Sequence, residues 1–499
     1  MDGSPDFNAL QYLVSPQKQD AFIAADWEAG PKLFKGDDER RQAFAGLFNR
    51  RSLTEAMRAR DAAKGGGAFR LGADVIAARY LSGERETVGG DVSGCDAIWS
   101  LFEDGCTLQV IQPQRYTPAL RALCARLESQ LGCLVGCNAY VTPGGTQGLA
   151  PHHDDVELFV CQTEGCKAWR LYGPIGGHGL PSLPSKDLAQ EELGPPILEV
   201  TLHVGDVLYV PRGIVHQAVA QDGASVHLTI STYQRWTWGD LAATVVQGAV
   251  MAQKGPDCAP HCLRQGLPHG FVYGVGTHPL EAPDASRDAA KELAARLRAL
   301  ADVLEKHDGL VRSAADAMAE DFVGGRMPPP EGGLRPRGPA PGPGDRVRRR
   351  GDGLMRLARV EAGEEPVGVD HAVQLLTCMK NSVQGHMMAG GEESEEEEEE
   401  RSEESQSDGD DDIEGMDGDG EEGSEEDEDG QCVLVLRAAL AEPLAQIVGS
   451  GDEGVAVAEL KGVEGEAERI GFVTELWREG LIETRGAGAE GGRQKRAKR

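Results

Sequence analysis

The chain has 499 residues and carries 50 basic and 82 acidic side chains, more length than one ordinary hydrophobic core requires and a formal charge of −32. That charge is local: residues 392–429 hold 24 acids and one arginine, so everything else together carries −9. Nowhere does a run approach the roughly 20 apolar residues of a membrane span. The eleven cysteines include no CxxC pair and no apolar run follows Met1-Asp2-Gly3-Ser4-Pro5, which predicts a reduced, intracellular chain.

In chain order, the first part of the sequence reads as helix, loop and strand, with an amphipathic helical piece at residues 53–57. Strand-like patterns follow at 156–162, 167–172 and 198–203, and a Gly205-Asp206 turn leads into another at 207–210. A helical run is expected from Thr237 through Val250. A further helix at 289–304 places Leu293, Leu297, Leu300 and Leu304 on one face, suited equally to a core or to a partner helix. Residues 327–351, rich in Pro, Gly and Arg, are expected as a flexible or extended loop. The acidic block repels itself and buries nothing, which predicts a disordered linker, acting as a spacer or as a surface for basic proteins. Apolar periodicity returns at 432–436 and again at 467–477, a helix leading to a short strand at 480–483. Five of the last seven residues are basic, fitting a nuclear signal or an RNA-contacting tail. Cys258, His261 and Cys262 lack a second ligand pair at zinc-site spacing and read as ordinary side chains.

The stretch richest in chemistry is Pro151-His152-His153-Asp154-Asp155. On a strand, residues i and i+2 share a face, so His152 and Asp154 point together and His153 points away. His216, beyond the 207–210 strand and a Pro211-Arg212-Gly213 turn, supplies a third donor from a distant part of the chain. Two histidines and one carboxylate on one side of a metal form the facial triad of non-haem Fe(II) oxygenases, whose open positions take co-substrate and oxygen. A lone His-x-Asp is common on protein surfaces. The strands around this one, and a lysine at 167 able to hold a carboxylate, favour the metal site.

The residues Asn138-Ala139-Tyr140-Val141-Thr142-Pro143, Gln147 through Asp155, Trp169-Arg170-Leu171-Tyr172, Pro211-Arg212-Gly213, His216-Gln217-Ala218 and His227 through Gln234 resemble the JmjC ribosomal oxygenases. These are Fe(II)- and 2-oxoglutarate-dependent protein-histidyl hydroxylases, and one branch is also described as histone lysine demethylase. The resemblance spans most of the chain and is sharpest over residues 138–240. It implies an α+β fold with a double-stranded β-helix (JmjC/cupin jelly-roll) core, a helical dimerisation region and a C-terminal winged-helix-like domain. Residues 22–28 resemble the family's entry helix. The implied divisions are a bracing region at 1–95, the JmjC domain at 96–245, a helical dimerisation region carrying the Pro/Gly/Arg-rich insertion at 246–390, the acidic linker at 391–430, the winged-helix-like domain at 431–490 and the basic tail at 491–499. Carried over residue by residue, His152, Asp154 and His216 are the catalytic iron ligands, and Lys167 pairs with the distal carboxylate of 2-oxoglutarate. Asn138 and Ser231 line the same pocket as cofactor-binding positions, and Tyr140 lies toward the substrate. For these last three, a strand residue bonded to nearby backbone is an equal explanation.

The implied activity is hydroxylation of a histidine in a ribosomal protein, with O2 as co-substrate, by a nuclear and more narrowly nucleolar homodimer. Demethylation of a histone lysine is the rival among enzymes, although no aromatic cage for an ammonium stands out in a chain with 5% aromatics. A non-catalytic nuclear scaffold is the rival outside enzymes, but binding alone has no physical need for three metal donors together with Lys167. The C-terminal helix shows no dense basic face, which favours protein contact there over nucleic acid.

Overall fold

The computed structural model describes residues 7–63, 67–177, 179–233, 235–252, 259–277, 285–329, 336–351, 355–359, 372–384, 386–387 and 433–485. The acidic block, Cys258 and the basic tail lie outside them.

Eleven strands build the barrel: β1 (Lys32–Phe34), β2 (Val75–Leu81), β3 (Glu84–Thr87), β4 (Thr107–Ile111), β5 (Val135–Thr142), β6 (Glu157–Glu164), β7 (Cys166–Tyr172), β8 (Leu198–His203), β9 (Val207–Val210), β10 (Val215–Ala220) and β11 (Ser225–Thr232). Eight of them form one antiparallel sheet in the order β1-β9-β6-β11-β5-β4-β2-β3, and β10-β7-β8 form a second. Alternation decides what each face does. Val135, Cys137, Ala139 and Val141 of β5 and Val226, Leu228 and Ile230 of β11 pack into the main core. Helices Ala9–Val14, Asp38–Leu47, Arg50–Ala62, Cys95–Glu103 and Pro118–Leu131 cover this face with Leu10, Phe44, Leu53, Ile98 and Leu123. Each large apolar side chain so buried contributes about 1.5–3 kcal/mol. The opposite face carries Asn138, Tyr140 and Thr142 of β5 beside Thr229, His227 and Ser225 of β11, in that register. Between the two sheets, Leu158, Val160, Leu208 and Val210 meet Trp169, Leu171 and Leu202 in a separate apolar cluster that closes part of the barrel.

The N-terminal region braces the barrel with strands as well as helices. Arg40, 3% exposed, donates to the carbonyls of Tyr12, Leu13, Ser15, Phe34 and Gly205 and so ties three segments together. The expected Gly205-Asp206 turn is present. Gly205 has φ +91°, and a Cβ there would lie 2.9 Å from the Arg41 backbone nitrogen, so the turn requires glycine.

Beyond the barrel, the helical run expected from Thr237 through Val250 is present as helix Trp238–Met251, and it begins on a Thr237 and Asp240 capping box. It packs with helices Ala285–Leu304 and Gly309–Gly325 through Val245, Ala249, Leu300, Leu310 and Ala314. The leucine face of Ala285–Leu304 is divided: Leu300 is buried, whereas Leu293 and Leu297 are 54% and 43% exposed. No helix among the described residues is long and apolar enough to cross a membrane.

The region expected as helical with a loop-like insertion differs most. Residues Arg346–Arg349 form strand β12, paired with β16 (Val455–Ala456) and β17 (Ile482–Arg485). Strands β13 (Met355–Arg359), β14 (Ala372–Thr377) and β15 (Val433–Arg437) make another sheet. Val347 alone supplies the buried side of β12, while Arg346 bonds to the carbonyls of Glu453 and Gly454 and Arg348 pairs with Glu483. An arginine run with partners in distant segments has the composition of a loop and the structure of a strand. The expected helix at 467–477 is present as Glu466–Arg478, and the short strand after it begins two residues later than expected. A buried polar knot then ties the end of this region to the barrel. The Glu128 carboxylate meets His386 Nε2 at 2.8 Å and the Met327 backbone N–H at 2.9 Å, and His386 Nδ1 lies 3.2 Å from the Gln114 amide.

Candidate active site

The segment bearing His152 and Asp154 is not the regular strand expected. Only His152 pairs, in an isolated antiparallel bridge with His216, and residues 153–156 run irregularly. The bridge consists of His152 N–H to His216 O at 3.3 Å and His216 N–H to His152 O at 2.8 Å. Gly213 N–H adds a bond to Asp154 O at 2.9 Å. On the other side, the His153 backbone and Ser185 exchange two bonds, and His153 is not among the converging donors. Gly213 itself has φ +83°, and a Cβ there would lie 2.6 Å from Pro181 Cδ, so the turn before His216 is another place where only glycine fits.

These constraints bring donor atoms of His152, Asp154 and His216 within 4.8 Å of one another. His216 Nε2 is 3.6 Å and His152 Nε2 is 3.9 Å from the Asp154 carboxylate. Both imidazoles are oriented from behind: His152 Nδ1 donates to Ala150 O at 2.8 Å and His216 Nδ1 to Ile214 O at 3.1 Å. With the proton fixed on Nδ1, each Nε2 presents its lone pair to the shared space, the tautomer a metal requires. Burial, and then the neighbouring His152, push the His216 ring down to about 4, so it is neutral at physiological pH. Two neutral nitrogens and one carboxylate are the donor set of a divalent transition metal, and the arrangement fits one.

Lys167 lies on β7, two residues before Trp169 on the same face. Its ammonium is 3.0 Å from Thr142 Oγ1 and 6.0 Å from the centre of the Trp169 ring. It is 5% exposed and makes no ion pair with a carboxylate among the described residues; burial pushes it down to about 7. Trp169 Nε1 and His227 Nδ1, both in the same interior, also lack hydrogen-bond partners among the described residues. A buried cation with no counter-charge beside two unpartnered polar nitrogens fits an anionic, oxygen-rich guest.

Tyr140 and Asn138 face this interior from β5. Burial raises the Tyr140 phenol, and the Asp154 carboxylate adds to the rise, which places Tyr140 beside the triad. Ser231 does not join Lys167. It pairs with Gly136, whereas Thr142, the partner of Lys167, pairs with Ser225. Six residues of strand separate the two levels, roughly 20 Å. Ser231 Oγ instead crowds with Met387 Sδ over Gly136. The sequence reading did not single out His227, yet its ring stacks on Tyr140 at 4.9 Å and meets Trp169 edge-on at 5.3 Å. Its signal was the period-two polar series Ser225, His227, Thr229 and Ser231, hidden between Val226 and Leu228.

A second polar group joins the two ligand-bearing segments. Glu157, fully buried, accepts from the Tyr209 hydroxyl and from the Arg212 backbone N–H at 3.5 Å. The Arg212 guanidinium lies 3.7 Å from Glu157 and 2.9 Å from Glu28. Burial outweighs these contacts and pushes the Glu157 carboxyl up to about 7.

Residues 109–241 match the JmjC domain family. Ribosomal oxygenase 2 of Mus musculus is 36% identical to this chain over 402 residues, 77% of this chain and 80% of that protein. Ribosomal oxygenase 1 of Rattus norvegicus is 37% identical over 323 residues, 64% of this chain and 51% of its own length. The protein named bifunctional lysine-specific demethylase and histidyl-hydroxylase NO66 of Culex quinquefasciatus is 34% identical over 324 residues, 64% of this chain and 48% of its own. The chain thus spans about half the length of these last two relatives.

The Glu157 environment gives a stability prediction. A carboxyl raised in the folded state contributes stability below its unfolded value and loses it as pH rises through the folded one. Relative to Glu157→Gln, the wild type should therefore lose up to about 3 kcal/mol between pH ~4.5 and pH ~7.5. Urea titrations of both proteins across that range measure the difference, and parallel pH profiles would show that Glu157 titrates normally.

Proposed function

We infer that this chain, which belongs to the JmjC ribosomal oxygenase family, is an Fe(II)- and 2-oxoglutarate-dependent dioxygenase that hydroxylates a histidine of a ribosomal protein. The observation that carries this reading is the presence, within one barrel, of three converging metal donors and a buried lysine without a carboxylate partner among the described residues. Iron(II) held by His152, Asp154 and His216, together with 2-oxoglutarate and O2, would supply C–H hydroxylation coupled to release of succinate and CO2.

The chain's own residues do the rest. Lys167 fixes one end of the dicarboxylate by a charge-assisted hydrogen bond, strong in a water-poor interior. The Nδ1–H bonds to Ala150 and Ile214 hold both imidazole lone pairs toward the metal position. Leu158, Val160, Leu208 and Val210 pack the barrel interior and keep water from one side of the pocket. Asn138 supplies an amide beside Tyr140, and Tyr140, next to Asp154, faces the substrate. Ser231, expected as a cofactor-binding position, lies at the level of Gly136 and Met387 and is given no part in holding the distal carboxylate.

Demethylation of a histone lysine is a second reading, supported by the name of the Culex quinquefasciatus relative. The same oxidation at an N-methyl carbon would lead to loss of the methyl group. The discriminating experiment loads the protein anaerobically with Fe(II) and 2-oxoglutarate, admits O2, and follows purified ribosomal proteins and methylated histone peptides by tandem mass spectrometry. One oxygen gained on a histidine is expected. Methyl loss from lysine alone would replace the reading with the second one, and failure to bind either Fe(II) or 2-oxoglutarate would return the barrel to a scaffold.

Lys167 makes co-substrate binding pH-dependent. Its ammonium is held down to about 7 in the free pocket, and an arriving carboxylate raises it. Below that value the free pocket already carries its proton and affinity is level. Above it, binding must take up a proton, and 2-oxoglutarate affinity falls toward tenfold per pH unit. Calorimetric titration with Mn(II) in place of iron should show this slope in the wild type. Lys167→Ala should lose the slope and roughly tenfold or more of the affinity.

The partner proposed for the exposed leucine face is a second copy of the chain. Leu293 and Leu297 stand out from Ala285–Leu304, and Trp238 and Met251, 86% and 72% exposed, add apolar surface on the helix Trp238–Met251. Leu293→Asp combined with Leu297→Asp should convert a dimer to a monomer in light scattering, whereas a wild type that is already monomeric would refute the assignment.

A further inference from the structure

We propose that His227 is a co-substrate-binding residue, the β11 side chain that holds a 2-oxoglutarate-class dicarboxylate together with Lys167. The inference deepens the reading above and rests on it.

His227 is 2% exposed, and its Nδ1 has no hydrogen-bond partner among the described residues. Interiors seldom leave such a nitrogen unpaired, and those that do usually reserve it for a ligand or an ordered water. The ring is in no position to turn away in search of a protein partner. Tyr140 lies parallel to it at 4.9 Å and 6°, and Trp169 abuts it at 5.3 Å and 82°. Its charged neighbours are Lys167 and His216, and Trp169, which abuts it, also contacts the Lys167 ammonium at 6.0 Å and the His216 ring at 5.9 Å. A short dicarboxylate that meets the lysine at one end and the metal at the other would run close to this ring. Trp169 Nε1, buried and likewise unpartnered, lines the same space.

Ser231 lacks these properties. It lies four residues farther along β11, roughly 13 Å away, where it crowds with Met387 over Gly136. Strand β11 therefore contributes to the distal carboxylate of the co-substrate through His227 and not through Ser231.

The test is calorimetric titration of 2-oxoglutarate into Mn(II)-loaded protein, with Mn(II) affinity measured separately. His227→Phe keeps the aromatic packing and removes the nitrogen, and should weaken 2-oxoglutarate roughly tenfold or more. His227→Asn returns a polar atom near the position of Nδ1, and should recover affinity to within about threefold of wild type. Mn(II) affinity should be the same in all three, and Ser231→Ala should lose less than His227→Phe. Where Phe prevents folding, His227→Leu takes its place. Wild-type affinity in the Phe variant would overturn the proposal, and so would a parallel loss of Mn(II), which would make the ring a support of the triad. A wild type that takes Mn(II) but no 2-oxoglutarate would overturn the functional reading and this proposal with it.

Discussion

The site depends on one pair of backbone hydrogen bonds, those exchanged by His152 and His216. The two histidines come from segments more than sixty residues apart, one irregular and one on β10, and the single bridge sets their separation and direction. Around it, the Gly213 bond to Asp154 fixes the carboxylate's segment, and Glu157 with Arg212 joins the same two segments again from behind. Metal sites need ligands held to fractions of an ångström, and precision of that kind comes from bonds behind the ligands. Here those bonds are mostly backbone, so they survive changes in side chains elsewhere.

The barrel interior shows the opposite arrangement. A buried lysine without a carboxylate partner, and an indole N–H and an imidazole nitrogen without hydrogen-bond partners among the described residues, share a space lined elsewhere by leucine and valine. Taken alone, each such group destabilises the fold. Their grouping around Trp169, which contacts Lys167, His227 and His216, makes sense as a site built for an anion whose binding restores the missing bonds. The large apolar core behind the sheet supplies stability that this interior gives up.

Strands were legible where alternation was strong: residues 198–203 and 207–210 coincide with β8 and β9, and the helix start near Thr237 and the turn at Gly205 follow from local chemistry. The convergence of His152, Asp154 and His216 was legible from spacing and resemblance, but the strand assumed for the first two was not what brings them together. A bridge between distant segments has no local signature. His227 was missed because a histidine flanked by valine and leucine reads as one more position of a buried strand, and only pairing with β5 places it beside Tyr140. Ser231 was placed too near Lys167 for the same reason, since sequence gives a residue's face but not its level along the barrel. Strand β12 was hidden by its arginines, whose partners lie in segments a hundred or more residues away.

The most direct measurement is anomalous diffraction from crystals grown with Mn(II) and 2-oxoglutarate. A manganese peak between His152 Nε2, the Asp154 carboxylate and His216 Nε2, with the far carboxylate of 2-oxoglutarate on Lys167, is the predicted result. Manganese bound elsewhere, or a dicarboxylate bound away from Lys167, would contradict the claim that these residues form one site.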